Sequence, residues 1–324
     1  MYPFCCVGGI MKIWINAPFS VENTELIKKS ALNCEIFTDT ENVDGADIII
    51  GQFPKNYDCS HLKLLQSTNA GVEKLLNTVP ENVVITNATG AFGEVIAEYT
   101  LAGLLALSRN LFQYRENQKK HLWKSVDGGF LLLGKTAIIL GCGNIGRNIA
   151  LRLNAFGVHT VGIRKNPVAT AGFDEVYGSE KLDILLPTAD FIICCLPATP
   201  LTNKMLGENQ FKLMKQGAVL VNVGRGSVVD EKSLENALLC GKLSGAVLDV
   251  FESEPLPENS PLWDMENVLI TPHISGPSFG QFKEVERKIA EICAENVKRY
   301  LNGTPLLNIV NRKSGYAERG ADNA

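Results

Sequence analysis

Short apolar runs alternate with amphipathic stretches along most of the chain. In the N-terminal third, Lys12–Asn16, Cys34–Phe37, Ile48–Ile50, Leu64–Ser67 and Val83–Thr86 read as strands, and Val21–Leu32 reads as a helix between two of them. Strands that are apolar throughout are covered on both faces, and interleaved with helices they imply a parallel sheet. Ile96, Leu101, Leu104, Leu105 and Leu107, interrupted by Glu94, Glu98 and Arg109, predict one long helix from about Phe92 to Gln118, long enough to bridge domains. A second alternating block runs from Lys135 to about Thr271. The last helix is expected over Gln281–Leu301, stopped by Gly303 and Pro305, with an extended tail at Pro305–Val310. At roughly 100–200 residues per domain, 324 residues suggest two domains.

The second block opens on a fingerprint. The apolar run Lys135–Leu140 leads directly into Gly141-Cys142-Gly143-Asn144-Ile145-Gly146, and a helical pattern follows from Arg147. Strand, G-x-G-x-x-G and helix in that order are the context a dinucleotide site requires. Gly141 allows the tight turn, Gly143 lets a pyrophosphate approach the backbone, and Gly146 lets the helix pack close on the strand. The helix N-terminus offers N–H groups and a positive dipole end to the phosphates. Such sites usually present an acidic residue to the ribose 2′-OH at the end of the next strand. Here Val158–Ile163 ends on Arg164-Lys165, two cations that favour NADP(H) over NAD(H).

Three later strands end on reactive side chains. Val219–Val223 runs into Gly224-Arg225-Gly226, Gly245–Leu248 into Asp249 through Glu254, and Val268–Ile270 into Thr271-Pro272-His273. Ligands in open α/β sheets bind at such carboxyl ends, and a glycine on each side of Arg225 fits a ligand site. Hydride addition to a ketone leaves a developing alkoxide. An Arg binds a substrate carboxylate and polarises the carbonyl as a planar fork, and a His protonates the oxygen near neutral pH. A carboxylate orients the imidazole and favours its charged form. Glu252 competes with Glu254 for that place. Of four histidines, His159 lies within a strand and reads as structural, His61 reads as a surface or turn residue, and His121 beside Trp123 is a candidate cleft residue.

Composition narrows the partners. A net charge of −4 with no Lys/Arg-rich run argues against nucleic acid and for a small molecule. No apolar run approaches the roughly 20 residues that span a bilayer. Residues 1–10 are apolar without a basic start and read as an extension, not a signal peptide. Nine cysteines with no C-x-x-C pair suggest a reduced, cytoplasmic protein without a zinc site, and Cys194 and Cys195 are expected to be buried in a sheet.

The chain resembles the D-isomer-specific 2-hydroxyacid dehydrogenase family over nearly all of residues 11–315, in LGCGNIGRNIA, LPATPLTN, NVGRGSVVDE, LDVFESEPLP and ITPHISG. The resemblance implies α/β architecture with two doubly wound parallel-sheet domains. These are a flavodoxin-like substrate domain (11–100 and 283–315) and a Rossmann coenzyme domain (101–282), with the active site in the cleft between them. It implies Arg225, Glu254 and His273 as the catalytic set, and the backbone of Ala70, Gly71 and Val72 as the binder of the substrate carboxylate. Cofactor contacts are implied at Gly141, Gly143, Asn144, Ile145, Gly146, Arg164, Lys165, Pro197, Thr202, Val223, Asp249 and Gly276, with Asp249 on the nicotinamide amide. A homodimer through the coenzyme domain, with help from the segment near Phe112–Leu133, is also implied. Formate dehydrogenase carries Gln in place of the Glu, so Glu254 argues against it. Some relatives are NAD(H)-sensing corepressors, the alternative reading, although this chain shows no appended partner-binding region. It also ends too soon for the C-terminal regulatory domain of many phosphoglycerate dehydrogenases. The loop Gly51–Lys55 carries one cation, Lys55, which favours small unphosphorylated acids such as glyoxylate or hydroxypyruvate.

Overall fold

A computed structural model describes residues 10–38 and 45–317, so the N-terminal extension lies outside the described residues except for Ile10. The chain forms two compact units, Met1–Phe92 with Pro277–Ala324, and Gly93–Gly276.

The first unit opens with β1 (Lys12–Asn16), α1 (Val21–Ser30), β2 (Glu35–Phe37), β3 (Ile48–Gly51), β4 (Leu64–Gln66), α2 (Glu73–Leu76) and β5 (Val84–Thr86). Its strands lie in the order β2-β1-β3-β4-β5, all parallel, which is the flavodoxin-like order. Every residue of β3 and β4 is buried, the polar Gln66 among them. Ser20 caps α1 by accepting from the Asn23 N–H. The helix stops before Leu32, with Asn33 in the left-handed region.

The second unit begins with α3 (Gly93–Ser108) and α4 (Leu111–Lys119). The single helix predicted over Phe92–Gln118 is therefore two. Asn110 turns left-handed at φ 54°, and its side chain donates to the Asp127 carbonyl. The Ser108 carbonyl, which a continuing helix would occupy, accepts the Phe130 N–H instead. Then follow β6 (Thr136–Leu140), α5 (Asn144–Ala155), β7 (His159–Ile163), β8 (Glu175–Tyr177), α6 (Leu182–Leu185), β9 (Phe191–Cys194), α7 (Glu208–Leu213), β10 (Ala218–Asn222), α8 (Glu231–Leu239), β11 (Leu243–Leu248) and β12 (Val268–Ile270). The order β12-β11-β10-β9-β6-β7-β8, all parallel, is the doubly wound Rossmann order with a seventh strand added at one edge. Its core gathers Ile138, Leu140, Ile192, Leu220, Ala246 and Leu248 from the four neighbouring strands β6, β9, β10 and β11.

The chain returns to the first unit in α9 (Lys283–Leu301), followed by a small antiparallel pair, β13 (Val310–Asn311) and β14 (Tyr316–Ala317), which starts at the last residue of the tail expected over Pro305–Val310. Val285, Ile289, Cys293, Val297 and Tyr300 form the buried face of α9, at helical spacing. Glu286 accepts from the Ser20 N–H and the Asn23 side chain, which ties α9 to α1.

Candidate active site

The strand order of the second unit reverses between β6 and β9, and ligands bind at such a switch point. The loop after β6 is built by close approach. Gly141 has φ 106°, and a Cβ there would stand 3.2 Å from the Cys195 carbonyl oxygen. A Cβ on Gly146 would lie 1.9 Å from the Gly141 carbonyl oxygen, so no other residue lets α5 begin there. At Gly143 a Cβ would meet nothing within 4 Å, and this is where a ligand has access to the backbone. Gly143 caps α5, and the N–H groups of Asn144, Ile145 and Gly146 form its first turn. These residues fit a dinucleotide's phosphates.

At the end of β7, Arg164 is half-buried and donates to the Thr170 hydroxyl at 3.1 Å, while Lys165 is exposed. Burial pushes the Cys142 thiol up to about 11, and the charge of Arg164 pulls it the other way, so the guanidinium is electrostatically close to the glycine loop. After β9, Pro197 is fixed by the buried Thr202, whose hydroxyl donates to the Pro197 carbonyl at 2.7 Å. Cys194 is buried as expected. Cys195 lies just past the strand end, half-buried, and its thiol donates to the Leu140 and Gly141 carbonyls.

Val223 is buried and leads into the Arg225 loop. The flanking glycines have packing reasons, whatever else the loop binds. A Cβ on Gly224 would lie 2.6 Å from the Leu196 carbonyl oxygen, and one on Gly226 1.9 Å from the Phe251 carbonyl. Arg225 is half-buried and extended, and its Nη1 donates to the Gly224 carbonyl at 2.7 Å. His273 Nδ1 lies 2.8 Å from Glu254 Oε2, and Glu254 Oε1 accepts the Phe251 N–H. A carboxylate only accepts, so Nδ1 donates and Nε2 is left for another partner.

The structure separates the two competing glutamates. Glu252 holds the start of α8: its Oε1 accepts the Glu231 N–H, its own N–H donates to Glu231 Oε2, and Lys204 lies 3.5 Å away. That reciprocal pair staples the loop after β10 to the loop after β11.

Asp249 is fully buried. Its carboxylate accepts from the Thr271 hydroxyl and from the N–H groups of Ile274 and Ser275, and its carbonyl accepts the His273 N–H. His273 adopts φ 55°, a conformation that costs roughly 1–2 kcal/mol in a non-glycine residue. Asp249 thus holds the loop that carries His273, a role that sequence reasoning missed. Gly276, half-buried, closes the second unit.

Ala70, Gly71 and Val72 belong to the first unit, after β4. Asn69 and Ala70 are fixed there by bonds from Ala88 and Asn87 to their carbonyls. Among the described residues the N–H groups of Ala70, Gly71 and Val72 donate to no acceptor, as an anion-binding loop requires. Of the remaining histidines, His159 is the first residue of β7 and is exposed, paired with Glu175 at 2.9 Å, not enclosed within the strand. His61 and His121 are exposed.

The family model for D-isomer specific 2-hydroxyacid dehydrogenase, NAD binding domain, matches residues 101–275. D-3-phosphoglycerate dehydrogenase of Methanocaldococcus jannaschii is 35% identical over 256 residues, 77% of this chain and 48% of that protein. The chain therefore spans about half the length of that relative. Glyoxylate reductase of Korarchaeum cryptofilum is 33% identical over 272 residues, 82% of this chain and 76% of that protein. The structure of a D-isomer specific 2-hydroxyacid dehydrogenase from Xanthobacter autotrophicus Py2, in complex with NADPH and MES, superposes with a TM-score of 0.82 at 27% identity, covering 95% of this chain and all of that one. The chain belongs to the D-isomer specific 2-hydroxyacid dehydrogenase family.

Proposed function

We propose that this chain is a nicotinamide-dependent dehydrogenase that reduces a small 2-keto acid to a D-2-hydroxy acid, or runs the reverse reaction. The observation that carries the reading is the His273–Glu254 contact at 2.8 Å, one strand end from Arg225 and on the same sheet edge as the glycine loop. Bound nicotinamide supplies or accepts the hydride. His273, oriented by Glu254, gives its Nε2 proton to the carbonyl oxygen. Arg225 pairs with the carboxylate and polarises the carbonyl. The free N–H groups of Ala70, Gly71 and Val72 also suit the carboxylate. Along the sheet the candidate residues run His273, Glu254, Arg225, Pro197, glycine loop, Arg164. From β10 to β7 is three strand spacings, roughly 14 Å. Arg225 would then serve the reacting end of a bound dinucleotide and Arg164 its adenosine end.

Glyoxylate and hydroxypyruvate are the favoured substrates, because the loop after β3 offers a single cation, Lys55, to a larger anionic group. A panel of glyoxylate, hydroxypyruvate, pyruvate and 3-phosphohydroxypyruvate, assayed with both cofactors, tests the reading. Turnover of none of them alongside tight NAD(H) binding favours a corepressor-like role. A homodimer through the coenzyme domain fits the exposed apolar side chains of Leu111, Leu122, Trp123, Leu131 and Leu133, and light scattering checks it. No helix among the described residues is long and apolar enough to cross a membrane.

NADPH is the favoured cofactor. No acidic residue stands at the end of β7, and an Arg there offers a 2′-phosphate a charge-assisted fork. Hydrogen bonds to charged groups contribute about 1.5–3 kcal/mol, or roughly 10- to 150-fold. Arg164→Asp is expected to raise KM for NADPH by that factor while leaving KM for NADH little changed. A wild-type kcat/KM for NADH at or above that for NADPH at low salt contradicts this assignment.

A further inference from the structure

We propose that Tyr99 is a positioning residue for the His273 imidazole, acting through Thr271 and Asp249. The proposal rests on the dehydrogenase reading of His273.

The direction of the hydrogen bonds follows from proton counting. Thr271 has one hydroxyl proton, and the Asp249 carboxylate 2.6 Å away only accepts, so that proton goes to Asp249. Tyr99 Oη lies 2.6 Å from the same Thr271 oxygen and must therefore donate to it. Burial above all, aided by the charge of Asp249, pushes the Tyr99 phenol up to about 12, so it keeps its proton throughout the working range. The chain runs one way, from Tyr99 to Thr271 to Asp249.

Asp249 is where the chain meets the active-site loop. Its carboxylate and carbonyl together hold Thr271, His273, Ile274 and Ser275, and between them the His273 backbone is kept in its left-handed conformation. The Tyr99 bond fixes the rotor of Thr271, so that the hydroxyl proton stays on Asp249. It also anchors the loop to α3, a helix packed along α5, in addition to its neighbouring strand. A proton donor must be held within a fraction of an ångström, and a displacement of about 1 Å costs as much as 10²-fold.

The test uses the full chain. Tyr99→Phe removes only the hydroxyl and is expected to lower kcat about tenfold, with KM for the cofactor within about twofold of wild type. Thr271→Val, similar in shape but without the hydroxyl, is expected to lose at least as much, and Thr271→Ser to recover most of the loss. In the Thr271→Val background, Tyr99→Phe adds nothing, because both break the same chain. A purely structural hydroxyl would lower Tm and leave the kcat of the folded enzyme intact. Wild-type kcat in Tyr99→Phe, or additive losses in the double variant, overturns the proposal. Wild-type protein that turns over none of the acids sinks the dehydrogenase reading instead. In that event amide exchange still decides the linkage: Ile274 and Ser275 exchange faster in Tyr99→Phe if it holds, and unchanged exchange overturns it.

Discussion

His273→Ala is expected to lower kcat for keto-acid reduction by about 10²–10⁴, the usual contribution of a positioned acid. Nδ1 is engaged by Glu254, so the ring presents Nε2 to the substrate, and its truncation removes the proton donor outright. The interaction forms as charge develops on the oxygen, so kcat and kcat/KM should fall together with little change in KM. The imidazole is nearly half exposed, at 48%, so alanine leaves no buried cavity. The backbone is the complication, because residue 273 has φ 55°. His273→Asn tolerates that conformation better than alanine does and separates backbone strain from lost chemistry. Both variants should be impaired alike in kcat, with the asparagine variant closer to wild type in Tm. Near wild-type kcat in either one removes His273 from the mechanism.

Much of the candidate site could be read from local pattern. A run of mostly apolar residues announces a buried strand, and Arg225, Glu254 and His273 each stand a few residues beyond the end of such a run. The glycines were legible as a pattern, but only partly for their cause. Gly224 and Gly226 read as ligand-contact residues, whereas the structure shows the Leu196 and Phe251 backbones filling the place of their side chains. What stayed hidden depends on contacts far apart in sequence. The break between α3 and α4 carries no glycine or proline and follows from Phe130 taking the Ser108 carbonyl. Tyr99 and Thr271 are 172 residues apart, and no periodicity relates them. Resemblance assigns Asp249 to the nicotinamide amide. Its burial beneath the His273 loop became visible only once β11 and β12 were paired. β8, three residues of mixed polarity at the sheet edge, offers too little pattern to be seen beforehand.

Asn296→Leu is expected to destabilise the first unit by about 3–5 kcal/mol, the largest stability effect anticipated away from the active site. Asn296 lies in the C-terminal part of α9, on its buried face and fully enclosed. Its Nδ2 donates to Gln66 Oε1 at 2.6 Å and to the Leu307 carbonyl at 3.1 Å, and its Oδ1 accepts the Leu307 N–H at 2.7 Å. Gln66, on β4, also accepts from Thr86 of the edge strand β5 and donates to the Ser67 carbonyl. One side chain therefore joins the sheet, the last long helix and the chain that leaves it. Leucine has the same branched heavy-atom skeleton, with bulkier methyl groups in place of the amide. Here it strands the N–H and carbonyl of Leu307 and takes a donor from Gln66. Each polar group left unmatched costs about 1–3 kcal/mol where it is buried, as at Gln66, while the Leu307 backbone is half-buried. At about 2–4 °C per kcal/mol for a unit of this size, Tm of the first unit should fall by roughly 6–20 °C. Calorimetry can follow the two units separately if they melt apart, and in that case the transition of Gly93–Gly276 should stay in place. A Tm within about 2 °C of wild type would show that the network contributes specificity of packing and little stability.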